Sequence, residues 1–246
     1  MLAHIISRDK PQKGGYGLKK FLHLSIYILI PFSLIVIQPD LGTALILLII
    51  GFGILFLCGV NWKITTSIAI ILGVVLPLGY SSFLHDYQKR RVTQFLNEKP
   101  SYQVNQSMIA IGSGGLFGKE MKDATQTQMK FLPIASSDFI FAYFIERFGF
   151  VGGMILIGFY LYLIAHLFMY NFSEREDYFI KVVAVSLSLL IFLYMSVNIL
   201  MTLGLAPVVG LPLPMLSYGG SSFITFVTMF TILENLLIFK FKFMYK

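Results

Sequence analysis

Residues 21–60 read FLHLSIYILIPFSLIVI-QPD-LGTALILLIIGFGILFLCGV: two apolar runs, Phe21–Ile37 and Leu41–Val60, joined by Gln38-Pro39-Asp40. Neither run carries Asp, Glu, Lys or Arg, and each approaches the roughly 20 residues an α-helix needs to cross a bilayer. A three-residue connection leaves room only for an antiparallel pair. Asp40 is placed to cap the second helix by accepting from its unpaired first-turn N–H groups, and Gly42 to let the two helices approach. The stretch predicts a helical hairpin with lipid as its solvent.

The pattern recurs through the rest of the 246 residues in the runs Ile64–Phe83, Phe139–Tyr170, Tyr178–Leu203 and Met215–Phe239, of which Phe139–Tyr170 is too long for one straight span. The expected fold is an all-α polytopic membrane protein with about six transmembrane helices, forming a single membrane domain over residues 1–246. Composition agrees. The chain is 57% hydrophobic and 13% charged, against about 45–50% and about 25% in soluble domains, and its mean hydropathy is +0.78. The single cysteine, Cys58, excludes a disulfide framework and any multi-cysteine metal centre. Gly112-Ser113-Gly114-Gly115 lacks a following Gly-Lys-Ser/Thr, which removes the phosphate-loop reading.

Charge placement orients the chain. The net charge of +7 does not point to nucleic acid, because the cations lie between apolar runs. If the basic segment Met1–Lys20 is cytoplasmic, six crossings put Gly59–Lys63, Asn171–Asp177 and Lys240–Lys246 on the same side. Those segments with Lys181 hold 11 of the 19 Lys and Arg, and the other 8 are spread between Lys89 and Arg147, a positive-inside distribution. The stretch from about 84 to 137 then becomes one large extracytoplasmic loop, and a connection of that length usually carries function. Its apolar part, Ile109–Leu116, is expected at the interface or re-entering the membrane against protein.

Several motifs occur in order: Gln38-Pro39-Asp40-Leu41-Gly42-Thr43-Ala44, Tyr87-Gln88-Lys89-Arg90-Arg91-Val92, Gln106-Ser107 into Ile109–Gly115, Thr125-Gln126, Phe131-Leu132-Pro133, Asp138-Phe139-Ile140-Phe141-Ala142, Pro207–Pro214 and Ser217-Tyr218-Gly219-Gly220-Ser221-Ser222. Together they resemble the SEDS proteins (shape, elongation, division and sporulation). The Pro207-Val208-Val209-Gly210-Leu211-Pro212-Leu213-Pro214 form is more similar to the RodA branch than to FtsW. The resemblance covers nearly the whole chain. It implies a peptidoglycan glycosyltransferase of the bacterial inner membrane, polymerising lipid II into a growing glycan strand during elongation and rod-shape maintenance beside a class B penicillin-binding protein. Family members usually have about ten spans, so these six correspond to the carboxy-terminal part, without the first helices. Two local departures stand out: the family's Pro-Glu-x-His-Thr-Asp is here Pro133–Asp138, and its Glu-Glu pair is here Glu146-Arg147.

Joining a sugar hydroxyl to an anomeric carbon with a lipid pyrophosphate leaving needs a base for the hydroxyl proton and cations for the departing charge. The resemblance makes Asp138 the catalytic carboxylate. Its position before an apolar helix suits an N-cap equally well. Glu146, eight residues on, would lie on the same helix face about 12 Å away, suited to support or to pairing with Arg147. Arg90 and Arg91 can grip pyrophosphate oxygens bidentately or anchor on anionic membrane lipid headgroups. Ser217 and Tyr218 interrupt the last run and can line a sugar or lipid groove, or simply pack. A divalent cation can neutralise pyrophosphate, but no ligand cluster marks a metal site. Two other classes fit polytopic helices: a lipid-linked oligosaccharide flippase, and a non-catalytic scaffold for cell-wall synthases.

Overall fold

The computed structural model describes residues 2–9, 11, 15–38, 40–57, 59–61, 64, 66–67, 89, 93, 95, 101–120, 137–172 and 177–244. They contain seven α-helices: α1 Leu2–Arg8, α2 Leu18–Ile37, α3 Leu41–Leu57, α4 Tyr102–Ser113, α5 Ile140–Met169, α6 Tyr178–Thr202 and α7 Gly220–Met244. A 3₁₀ turn, Tyr170–Phe172, follows α5. By length and apolarity α2, α5, α6 and Gly220–Phe239 of α7 suffice to cross a membrane, and α3 is a shorter apolar helix. Five of the six expected runs are therefore helical in an all-helical polytopic membrane protein. Most of the run Ile64–Phe83 and most of 84–137 lie outside the described residues. The last helix begins at Gly220, not Met215, because Met215 has φ 62°, which breaks the helical path before the small residues take it up.

The chain divides into two compact units. One comprises Met1–Lys89, His166–Leu190 and Leu236–Lys246. The α2–α3 hairpin is its centre. Asp40 caps α3 as the sequence suggests: its carboxylate accepts from the Thr43 N–H at 3.2 Å and the Thr43 hydroxyl at 2.7 Å. The close helix contact falls at Gly51, whose missing Cβ would lie 2.7 Å from Ile28. Phe21, Leu24, Ile28, Ile54 and Leu55 form the core with Ile6 of α1 and Val182 of α6. At the open end of the hairpin the Tyr16 N–H donates to Gly59 O at 3.1 Å, and Lys20 pairs with Asp9. The start of α2 and the end of α3 are thus bound together, as two crossings require. Ser25 and Ser33 donate to Phe21 O and Ile30 O of their own helix, which satisfies hydroxyls that lipid cannot.

The second unit comprises Arg90–Ala165 and Ile191–Asn235. Here α5 is two helices in one line of sequence, broken at Gly149 (φ 71°, ψ −174°). A break exposes backbone groups that hydrocarbon cannot pair. The Gly114–Lys119 segment, just after α4, supplies their partners: the Phe150 and Val151 N–H groups donate to Gly115 O and Leu116 O at 2.9 and 3.1 Å, and the Lys119 N–H donates to Glu146 O at 3.0 Å. The Arg147 guanidinium adds a bond to Lys119 O at 2.6 Å. The fit is close: a Cβ on Gly149 would come within 2.3 Å of Gly118 N, and one on Gly114 within 2.3 Å of Ile145 O. The overlong run of the sequence is thus resolved by a break, with Phe150–Met169 long enough to span by itself.

The conformation of Gly149 is one that only glycine adopts readily, so Gly149→Ala should destabilise the protein by about 1–3 kcal/mol from backbone strain, and more from the clash with the docked segment. A thermal unfolding midpoint in detergent equal to that of the unsubstituted protein would contradict this account of the break.

Candidate functional site

Asp138 lies in the turn Ser137–Phe139 that leads into α5. Phe139, buried at the start of the helix, packs with Val104, Ala110 and Ala142. The N–H groups of Ala142 and Tyr143 donate to Phe139 O, so Phe139 holds the cap position before α5. Among the described residues the Asp138 carboxylate accepts no hydrogen bond, and the N-cap reading of Asp138 does not describe its side chain. The carboxylate is half-buried, with Oδ2 resting beside Gly210, 3.5 Å from where a Cβ would stand.

The backbone around Asp138 is tightly held. The Asn198 carboxamide of α6 donates to Asp138 O at 2.9 Å and to Leu211 O at 2.6 Å. The Ser217 hydroxyl donates to Ser137 O at 2.6 Å and accepts from the Leu213 N–H at 2.7 Å. The Tyr160 hydroxyl of α5 donates to Pro214 O, and the Ser107 hydroxyl of α4 donates to Thr202 O at 2.6 Å. The connection between α6 and α7 starts from a Schellman-type end, in which Gly204 and Leu205 N–H groups return to Met201 O and Leu200 O. Its prolines leave carbonyls to be satisfied without N–H donors of their own; the side chains of Asn198 and Tyr160 donate to two of them, while the Ser217 hydroxyl accepts from the Leu213 N–H. Gly210 has φ 78°, a conformation that suits glycine at the point where the carboxylate rests.

The residues singled out by sequence fall as follows. Asp138 and Ser217 are brought together through Ser137, and Ser217, buried at 6% exposure, supports the turn. Its neighbour Tyr218 is 82% exposed, free to meet a ligand or lipid. Glu146 is fully buried, one turn before the break in α5, with its carbonyl bound to the docked segment. Arg90 and Arg91 lie outside the described residues. No group of three His, Cys, Asp or Glu gathers to hold a metal among the described residues. Sequence reasoning passed over Asn198, Tyr160 and Gly210. The one carboxamide in the largely apolar 25-residue helix Tyr178–Thr202 was the signal for Asn198.

Fold and site define a polytopic membrane protein whose half-buried carboxylate is displayed on a turn at a helix start. The chain belongs to the FtsW/RodA/SpoVE family of cell cycle proteins, whose family model matches residues 1–241. It is 58% identical over 245 residues to the peptidoglycan glycosyltransferase MrdB of Helicobacter pylori, covering 100% of this chain and 64% of that protein. It is 37% identical over 243 residues to the MrdB of Escherichia coli, covering 96% and 64%. In three dimensions it is similar to a chain of a peptidoglycan synthase complex that coordinates polymerisation and crosslinking, with TM-score 0.74, 29% identity, and 96% and 65% of the two chains covered. The chain thus spans about 64% of the length of these curated relatives.

Removing the Tyr160 hydroxyl with Tyr160→Phe strips Pro214 O of its buried donor, at an expected cost of about 1–3 kcal/mol. Thermal unfolding in detergent measures it, and an unchanged midpoint would mean the α6–α7 connection is held without that bond.

Proposed function

We propose that this chain carries the polymerising chemistry of peptidoglycan synthesis, with Asp138 as the general base. The acceptor sugar's hydroxyl, the 4-hydroxyl of an N-acetylglucosamine unit, loses its proton to the Asp138 carboxylate. Its oxygen forms the new bond to the anomeric carbon of the lipid-linked donor, and the bond to the lipid pyrophosphate breaks, the electron pair leaving with the phosphate. Pyrophosphate is a good leaving group, so one carboxylate and nearby cations suffice, in contrast to the paired acids of glycoside hydrolysis. Arg90 and Arg91 are the residues we assign to the pyrophosphate, and Tyr218 and Glu146 to support of the substrate and of the site.

The observation that carries the reading is the Asp138 carboxylate, which accepts no hydrogen bond among the described residues, on an anchored turn. A carboxylate already spent as a helix cap would be less available to a substrate proton. The names of the relatives support glycosyl transfer in peptidoglycan synthesis, and lipid II and the growing strand are the substrates we assign to it. The similarity to a chain of a complex that coordinates polymerisation and crosslinking supports a crosslinking partner, which we assign as a class B penicillin-binding protein, and the role we assign is elongation. On this reading the protein sits in the bacterial inner membrane with residues 84–137 on the extracytoplasmic side, where the finished strand is needed. A flippase would concentrate charge at the membrane midplane, whereas Asp138 sits at a helix start.

With the full-length protein and its partner, Asp138→Ala should lower glycan polymer formed from lipid II by about 10²–10⁴-fold, the usual contribution of a positioned base, at unchanged membrane abundance. Polymerisation at the unsubstituted rate would sink the assignment.

A further inference from the structure

We propose that Asn198 is a positioning residue for the Asp138 carboxylate; the inference rests on the glycosyl-transfer reading above. The Asp138 side chain accepts no hydrogen bond among the described residues, so its direction is set by whatever fixes its backbone. Asn198 does this from a distance of 60 residues in sequence, donating from Nδ2 to Asp138 O at 2.9 Å while the same nitrogen donates to Leu211 O at 2.6 Å. Both partners are carbonyls, which only accept, so the atom between them must be the amide nitrogen. A primary amide is the neutral side-chain group that places two N–H donors on one atom in one plane. Leu211 follows Gly210, beside which Asp138 Oδ2 rests. One side chain therefore ties the turn carrying the carboxylate to the loop against which the carboxylate lies.

Stability alone is a poor reason for an amide at this position. Asn198 is 0% exposed, and its Oδ1 is buried with no hydrogen-bond partner among the described residues. An unpaired buried acceptor carries an energetic cost, and that cost is borne in the interior of α6, between the apolar residues Val197 and Ile199. What the amide supplies in return is geometry. A displacement near one ångström at a reacting group can lower a rate by about 10²-fold.

The test uses the full-length protein with its partner and lipid II, measuring kcat and KM for each variant at matched amounts of folded protein. Asn198→Leu, close in volume and without donors or charge, should lower kcat by about 10–100-fold while KM stays within about twofold, the signature of an interaction made in the transition state. Asn198→Ser, which keeps one donor, should recover part of the loss, and serves also if the leucine variant does not reach the membrane. In an Asp138→Ala background, Asn198→Leu should add no further loss, because the two act as one unit. Unsubstituted kcat in Asn198→Leu or Asn198→Ser, with Asp138→Ala inactive, would overturn the positioning role alone. An equal fractional loss in both backgrounds would also overturn it, marking a purely structural residue. Unsubstituted rates in Asp138→Ala would overturn the reading beneath it and the inference together.

Discussion

In hydrocarbon a backbone N–H or C=O has no water to turn to, and that single constraint organises the described structure. Where a helix is continuous the requirement is met internally. Where α5 breaks at Gly149, a second piece of chain must come to the break, and Gly114–Lys119 does so with backbone donors and acceptors. Because the groups to be satisfied sit close to the helix axis, the visiting segment must come closer than side chains normally allow. Glycines at 114, 118 and 149 make room for it. A segment between two apolar runs is thereby recruited into the helical body as a structural element.

The same need explains the site. The Pro207–Pro214 stretch is poor in N–H groups and rich in carbonyls, and the side chains that satisfy it come from α5, α6 and its own downstream end: Tyr160, Asn198 and Ser217. Two of these three also hold the turn bearing Asp138. Anchoring the backbone leaves the carboxylate unspent.

Much of this was legible in the residues. Among the described residues, apolar runs bounded by charge matched helices to within a few residues, and Asp40 announced its cap because the capped helix begins immediately after it. The local motifs carried the family. What the sequence concealed was long-range. The excess length of Phe139–Tyr170 showed that the helix could not be straight, yet no local signal distinguishes Gly149 as the break from Gly152, Gly153 or Gly158 nearby. The partner of the break lies some thirty residues upstream. Asp138 looked like a helix cap because helix starts favour Asp; the structure gives the cap position to Phe139, and among the described residues the acid accepts no hydrogen bond. Ser217 and Asn198 revealed nothing of their shared target, since one is 80 residues and the other 60 residues from the turn they hold.

Those separations bear on the order of events in the cell. A chain emerging from the ribosome has the Asp138 turn long before it has Asn198, and Asn198 before Ser217. Until α6 and the connection to α7 have been made and inserted, neither tie to the turn can form. The N-terminal hairpin, whose contacts between α2 and α3 are local, has no such delay. A half-synthesised chain carries the Asp138 turn without either tie. Its backbone becomes fixed only when the downstream helices are in place.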